Sequence, residues 1–117
     1  MKDAMATFKT PLHPGEILRE EFLVPLGTSA GQLARAIDVP RTRIERIVRE
    51  EIGISTDTAL RLARYFGTTP ELWLNLQQSY ELSTGTFALR KQLAAIVPRT
   101  SANENVVDGR SRRSAAN

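Results

Sequence analysis

With 117 residues the chain is long enough for one domain with a modest core and too short for two comfortable ones. Apolar residues make up 41% and charged residues 25%, the usage of a folded soluble protein. No apolar run approaches the ~18 residues of a membrane-spanning helix, and the absence of cysteine beside a single histidine excludes disulfide, thiolate and zinc chemistry.

The opening MKDAMATFKT lacks the apolar centre of a signal peptide, so the cytoplasm is the expected location, with no membrane partner and no cofactor. The net charge of +3 is unevenly placed. Residues 15–85 carry eight arginines against ten acids, whereas residues 86–117 carry six bases against two acids. Inside the acidic stretch, Arg35, Arg41, Arg43, Arg46 and Arg49 face only Asp38 and Glu45, so the basicity is a patch and a tail.

Residues 1–12 show neither helical nor strand periodicity and read as a flexible lead-in. HPGEILREEFLVPLG opens a first helix at Pro14, with Glu16 in the first turn and Ile17, Leu18 and Phe22 on one stripe. Pro25 and Gly27 stop it. Ser29 is a natural cap for a second helix with Leu33, Ala34 and Ile37 inward, ended by Asp38-Val39-Pro40. A third runs from about Pro40 to Glu50 with Ile44, Ile47 and Val48 inward, and Gly53 closes the segment. The fourth opens at Ser55 or Thr56, places Asp57 near the positive end of its dipole and buries Ala59, Leu60, Leu62, Ala63 and Phe66 before Gly67. Thr69-Pro70 opens the fifth, whose stripe is Leu72, Trp73, Leu76 and Tyr80. Ser83-Thr84-Gly85 then separates it from a shorter amphipathic piece, FALRKQLAAIV, ended by Pro98. The remainder, 98–117, is small, polar and basic and is expected to be disordered. No strand-period run appears, so the fold class is all-α.

Helices this short need each other's apolar faces. Leu33 and Ile37 can meet Ile44 and Ile47 across so short a link only through a sharp turn, which is the geometry of a helix-turn-helix. With Ile44, Ile47 and Val48 inward, a 100° step leaves Arg41, Thr42, Glu45, Arg46 and Arg49 outward. Such a helix fits the major groove of double-stranded DNA. Arg41 and Arg46 are assigned to bases, Thr42 to a base or thymine methyl, and Arg43 and Arg49 to phosphates. Glu45 either accepts from a cytosine or pairs with Arg41 or Arg49. From charge alone a solvated arginine-rich helix is the commoner explanation; the turn pattern is what displaces it.

HPGEILREEFL, LARAIDVPRTRIERIV, STDTALRLARYFGTTPELWLNLQ and YEL, in this order and spacing, resemble the HigA-type antitoxins, a branch of the lambda-repressor-like helix-turn-helix (XRE) family, over about residues 12–82. The resemblance implies a five-helix lambda-repressor-like domain, here within 13–97 and extended by the short C-terminal helix. It further implies a homodimer that binds a palindromic operator, represses its own operon and neutralises a HigB-like toxin, a small RelE-like ribonuclease that cuts translated mRNA. The family's base-reading positions fall on Arg41, Thr42 and Arg46. Two positions depart from the family pattern. Asp38 stands where glycine is usual at positive φ, and Ala30 stands where a phosphate-holding glutamine is common, so Gln32, or Ser29 through its N–H, is the expected replacement.

His13, with no nucleophile or paired carboxylates near it, reads as a capping or surface residue, and no constellation for an enzyme can be assembled. Glu16, Glu20 and Glu21 form an acidic face on the first helix, a docking site for a basic toxin if it is more than a solvated surface. Leu74 lies off the fifth helix's stripe and, with Leu82, is the candidate dimer contact. The tail's Arg110, Arg112 and Arg113 read as a solubilising end. A stand-alone transcription regulator without a toxin is the second functional reading, and an adaptor for acidic proteins the third.

Overall fold

The structure, a computed structural model, describes residues 12–99, and these residues are helical with no strand among them. The chain divides into two units, one through Phe87 and one from Ala88; Arg110, Arg112, Arg113 and most of the segment read as a tail lie outside the described residues, as do 1–11 of the lead-in.

The first helix, α1, is continuous but changes pitch: it is α-helical over Pro14–Ile17, π-helical over Leu18–Leu23 and α-helical again over Val24–Leu26. Pro25 therefore does not stop it. A proline has no N–H to give and its ring presses on the carbonyl four residues back; the wider turn, in which the Val24 N–H reaches the Arg19 carbonyl, accommodates both problems. Gly27, at φ 62°, is the terminator.

At the other end of α1, His13 is the N-cap: its Nδ1 accepts a 2.8 Å hydrogen bond from the Gly15 N–H. The ring is buried and meets Tyr80 edge-on, with centroids 4.8 Å apart. Burial pushes the imidazole below its ordinary value, with Glu50 and Glu16 pulling weakly the other way. Folded His13 therefore takes up its proton at a lower pH than the unfolded chain, which does so around the ordinary value of about 6.5. Stability should be full above about pH 6.5 and fall as the pH drops, by at most about 1.4 kcal/mol per pH unit from this group. Urea midpoints measured across that range should show the slope, and His13→Asn, which keeps a capping acceptor that does not titrate, should flatten it.

Four further helices follow: α2 (Ala30–Ile37), α3 (Arg41–Val48), α4 (Thr56–Phe66) and α5 (Pro70–Ala88), of which all but Ala88 belong to the first unit. Their common core is Leu18, Leu23, Leu33, Ala34, Ile37, Ile44, Ile47, Ile54, Ala59, Leu62, Ala63 and Trp73. Trp73 is fully buried, its indole N–H donating to Thr68 Oγ1 at 2.8 Å, and its ring packs with Phe22 and Phe66.

Four expectations are corrected. Leu60 is 54% exposed and Leu72 38% exposed. Each sits one residue off the true i, i+3, i+4, i+7 row, which runs Ala59-Leu62-Ala63-Phe66 on α4 and starts at Trp73 on α5. The third helix ends at Val48, and the residue that turns the chain is Glu50 at φ 64°, not Gly53. Gly53 matters for space instead, since Gln77 lies over it: a Cβ there would be 2.5 Å from the Gln77 amide, whose Oε1 accepts the Ile54 N–H at 2.8 Å. Finally, α5 runs straight through Ser83-Thr84-Gly85, with Thr84 Oγ1 donating to the Tyr80 carbonyl at 3.0 Å. One glycine costs a helix only about 1 kcal/mol, too little to break one so long.

In the second unit, α6 (Arg90–Ala95) is a separate short helix, with Leu89, Leu93, Ile96 and Val97 exposed. Among the described residues no helix is long and apolar enough to cross a membrane, and no cluster of His, Cys, Asp or Glu could hold a metal ion.

Candidate nucleic-acid interface

The helix-turn-helix is built from α2, its turn and α3. Ser29 and Gln32 close a reciprocal capping box at the start of α2: the Gln32 N–H reaches Ser29 Oγ at 3.0 Å and the Ser29 N–H reaches Gln32 Oε1 at 2.8 Å. The Ser29 N–H that the sequence offered to a phosphate is thus already bonded, and the donors left in the first turn are those of Ala30 and Gly31 and the Gln32 Nε2 amide.

At the other end of α2, Asp38 adopts the left-handed conformation, φ 61° and ψ 53°. Its N–H and that of Val39 fold back on the Ala34 carbonyl, and half-buried Val39 packs against the core, as in the Schellman ending of a helix. The turn that the sequence pattern requires is present, and it strains an L-residue. Asp38→Gly should therefore raise the unfolding free energy by about 0.5–1 kcal/mol, because no hydrogen bond of its carboxylate is lost and the φ penalty is removed. Urea denaturation reads this directly.

Pro40 caps α3 with φ −62°. Ile44 and Ile47 are fully buried, which fixes the rotation of the helix and leaves Arg41, Thr42, Arg46 and Arg49 exposed on the opposite side. The Arg41 stem lies over Gly31 of α2, where a Cβ would come within 3.0 Å of its Cδ. Three of the arginines hold carboxylates: Arg41 pairs with Glu45 at 3.2 Å, Arg46 with Glu51 at 3.5 Å and Arg43 with Asp57 at 2.8 Å. Glu45, whose role the sequence left open, thus pairs with Arg41 in this structure. Arg49 has no carboxylate partner among the described residues. These pairs are exposed, so they orient side chains more than they stabilise the fold.

Two arginines that sequence reasoning missed brace the motif, one at the turn before α3 and one at the end of α3. Arg61 on α4 donates Nη1 to the carbonyls of Ile37 at 2.8 Å and Asp38 at 3.3 Å, and Nε to Asp57 Oδ2 at 3.0 Å. The Arg43 and Arg61 guanidiniums beside Asp57 hold its carboxyl below the usual carboxylate range. Arg19 on α1 donates to the Val48 carbonyl and pairs with Glu50 at 3.4 Å, bracing the left-handed residue that ends α3. The i, i+4 spacing of Asp57 and Arg61 was a visible signal; the backbone carbonyls Arg61 reaches, and the long-range partners of Arg19, left none.

The other assigned residues are on α1 and α5. Glu20 and Glu21 on α1 are exposed, and Glu16 is half-buried; Glu20 pairs with Arg19 at 3.0 Å. On α5, Leu74 packs partly against the core, whereas Leu82 is 64% exposed.

The helix-turn-helix family pattern matches residues 18–73. Virulence-associated protein I of Dichelobacter nodosus is 48% identical over 81% of this chain and 87% of its own length. An uncharacterised HTH-type transcriptional regulator of Haemophilus influenzae is 45% identical over 63% of this chain and 69% of its own length. Among solved structures, the antitoxin HigA of Pseudomonas aeruginosa with the higBA promoter superposes with a TM-score of 0.74 at 49% identity, covering 76% of this chain and 98% of that one. With a capped α2, a left-handed turn and an outward arginine face on α3, the chain belongs to the XRE-type helix-turn-helix family, in its HigA antitoxin branch.

Proposed function

We propose that this protein is the antitoxin of a two-gene toxin–antitoxin module, acting in the cytoplasm as a homodimer that binds a palindromic operator and represses its own operon. One observation carries the DNA half: a helix with one face locked in the core presents Arg41, Thr42 and Arg46 on the other, directly after a sharp turn. In this reading α3 enters the major groove, with Arg41 and Arg46 on guanine edges and Thr42 on a base or thymine methyl. Arg43 belongs to the same surface, Arg49 meets a phosphate, and Ser29 and Gln32 frame the phosphate-facing start of α2. Leu82 and the uncovered side of Leu74 form the dimer contact. The toxin is a HigB-like, RelE-type mRNA-cleaving enzyme. Its basic surface would dock on Glu16, Glu20 and Glu21, a reading supported by family membership and by the exposed carboxylates on α1.

A gel shift on the DNA upstream of the protein's own gene is the test. Retardation that weakens steeply with salt is expected; none at moderate salt would sink the DNA claim. Co-expression with a small basic protein encoded alongside tests the toxin half. If no such reading frame exists, the stand-alone regulator, favoured by the naming of the Haemophilus relative, replaces it while DNA binding stands.

A further inference from the structure

We propose that Asp57 and Arg61 are positioning residues for sequence recognition, and that Arg43 serves as their tether on the recognition helix and not as a phosphate contact. The inference rests on the DNA-binding reading of α3. Asp57 Oδ2 accepts from Arg43 Nη1 at 2.8 Å and from Arg61 Nε at 3.0 Å, while Arg61 Nη1 reaches the carbonyls of Ile37 and Asp38 at 2.8 and 3.3 Å. One unbroken chain of hydrogen bonds therefore joins the recognition helix to α4 and to the turn residue itself.

The other two ion pairs on α3 cannot do this. Arg41 pairs with Glu45 one turn away on the same helix, and Arg46 pairs with Glu51 just past its end. Arg43 alone reaches a carboxylate of another helix. Arg61 suits its place because its planar fork can meet two carbonyls and a carboxylate together, which a lysine ammonium on a flexible stem cannot. Since the pairs are exposed, they add little to folding, and what they fix is the angle at which α3 leaves the turn. Base edges are read by short, directional bonds, so a small rotation of α3 weakens discrimination while leaving the general attraction to phosphates intact.

The test compares wild type with Arg43→Gln, Asp57→Asn, Arg61→Gln, Arg61→Lys and the double variant Arg43→Gln/Asp57→Asn. Fluorescence anisotropy is followed on the upstream duplex and on a scrambled duplex over a salt series. Each single variant should bind the upstream duplex about tenfold more weakly, comparable to one lost base contact. Affinity for the scrambled duplex and the slope of log affinity against log salt should not change. The double variant should lose no more than either single one, and Arg61→Lys should not rescue. A salt slope shallower by about one for Arg43→Gln would make Arg43 a phosphate contact and overturn the proposal. Tighter binding by Asp57→Asn, or additive losses in the double variant, would overturn it too. If wild type binds neither duplex, the DNA reading itself has failed, and amide hydrogen exchange judges the tether alone. Faster exchange in α3 for Asp57→Asn and Arg61→Gln keeps it, and unchanged exchange overturns it.

Discussion

A chain with alanine at both Arg41 and Arg46 should fold normally and lose selective binding to its upstream DNA. A well-made bidentate contact to guanine discriminates by roughly 1–3 kcal/mol, so the pair should account for about 10²–10⁴ in affinity for the right sequence. The fold is expected to survive because both side chains are exposed and their carboxylate partners, Glu45 and Glu51, lie at the surface. Ion pairs of this kind contribute about 0–1 kcal/mol each, so the unfolding midpoint should barely move. Binding to a scrambled duplex should fall far less, since Arg49 and the start of α2 remain. Unchanged affinity for the upstream duplex in the double variant would show that α3 does not face the bases.

How much of this surface the sequence disclosed depends on the range of the interaction. Ser29 as a cap, the stop at Asp38 and the inward row of Ile44 and Ile47 are local patterns of three to seven residues, and each is found as expected. Where the reading failed, a local rule was outweighed by context. Pro25 and Gly85 are both breakers by propensity, yet α1 widens around the one and α5 absorbs the other. Leu60 and Leu72 were assigned inward because they are leucines, although the periodicity of their neighbours places them at the edge. The contacts that hold α3 at its working angle were the least legible. Arg61 reaches backbone carbonyls 23 and 24 residues away and Arg19 one 29 residues away, and backbone carbonyls leave no mark on a sequence.

Gly15→Ala tests the support beneath the recognition helix and should be the most damaging of the glycine substitutions. A Cβ at Gly15 would lie 1.8 Å from the Ile47 carbonyl oxygen and 2.8 Å from its carbon. Those atoms belong to the backbone of α3, so nothing can swing aside as a side chain would; the start of α1 must back away, loosening buried Leu18 and the His13 cap with it. A cost of about 3 kcal/mol is expected, the upper part of the range for overpacking. Two comparisons isolate the cause. Gly27→Ala meets no atom within 4 Å and pays only for φ 62°, about 1–2 kcal/mol. Gly85→Ala, inside α5 with open space around it, should stabilise by about 0.5–1 kcal/mol. Urea unfolding of the three variants should follow that order. Were Gly15→Ala to cost no more than Gly27→Ala, the close approach of α1 to α3 would be wrong, and with it the reason α1 carries a glycine in its first turn. If the order holds, the glycine after His13-Pro14 is a requirement of the recognition helix, since it lets the first helix come near enough to carry it.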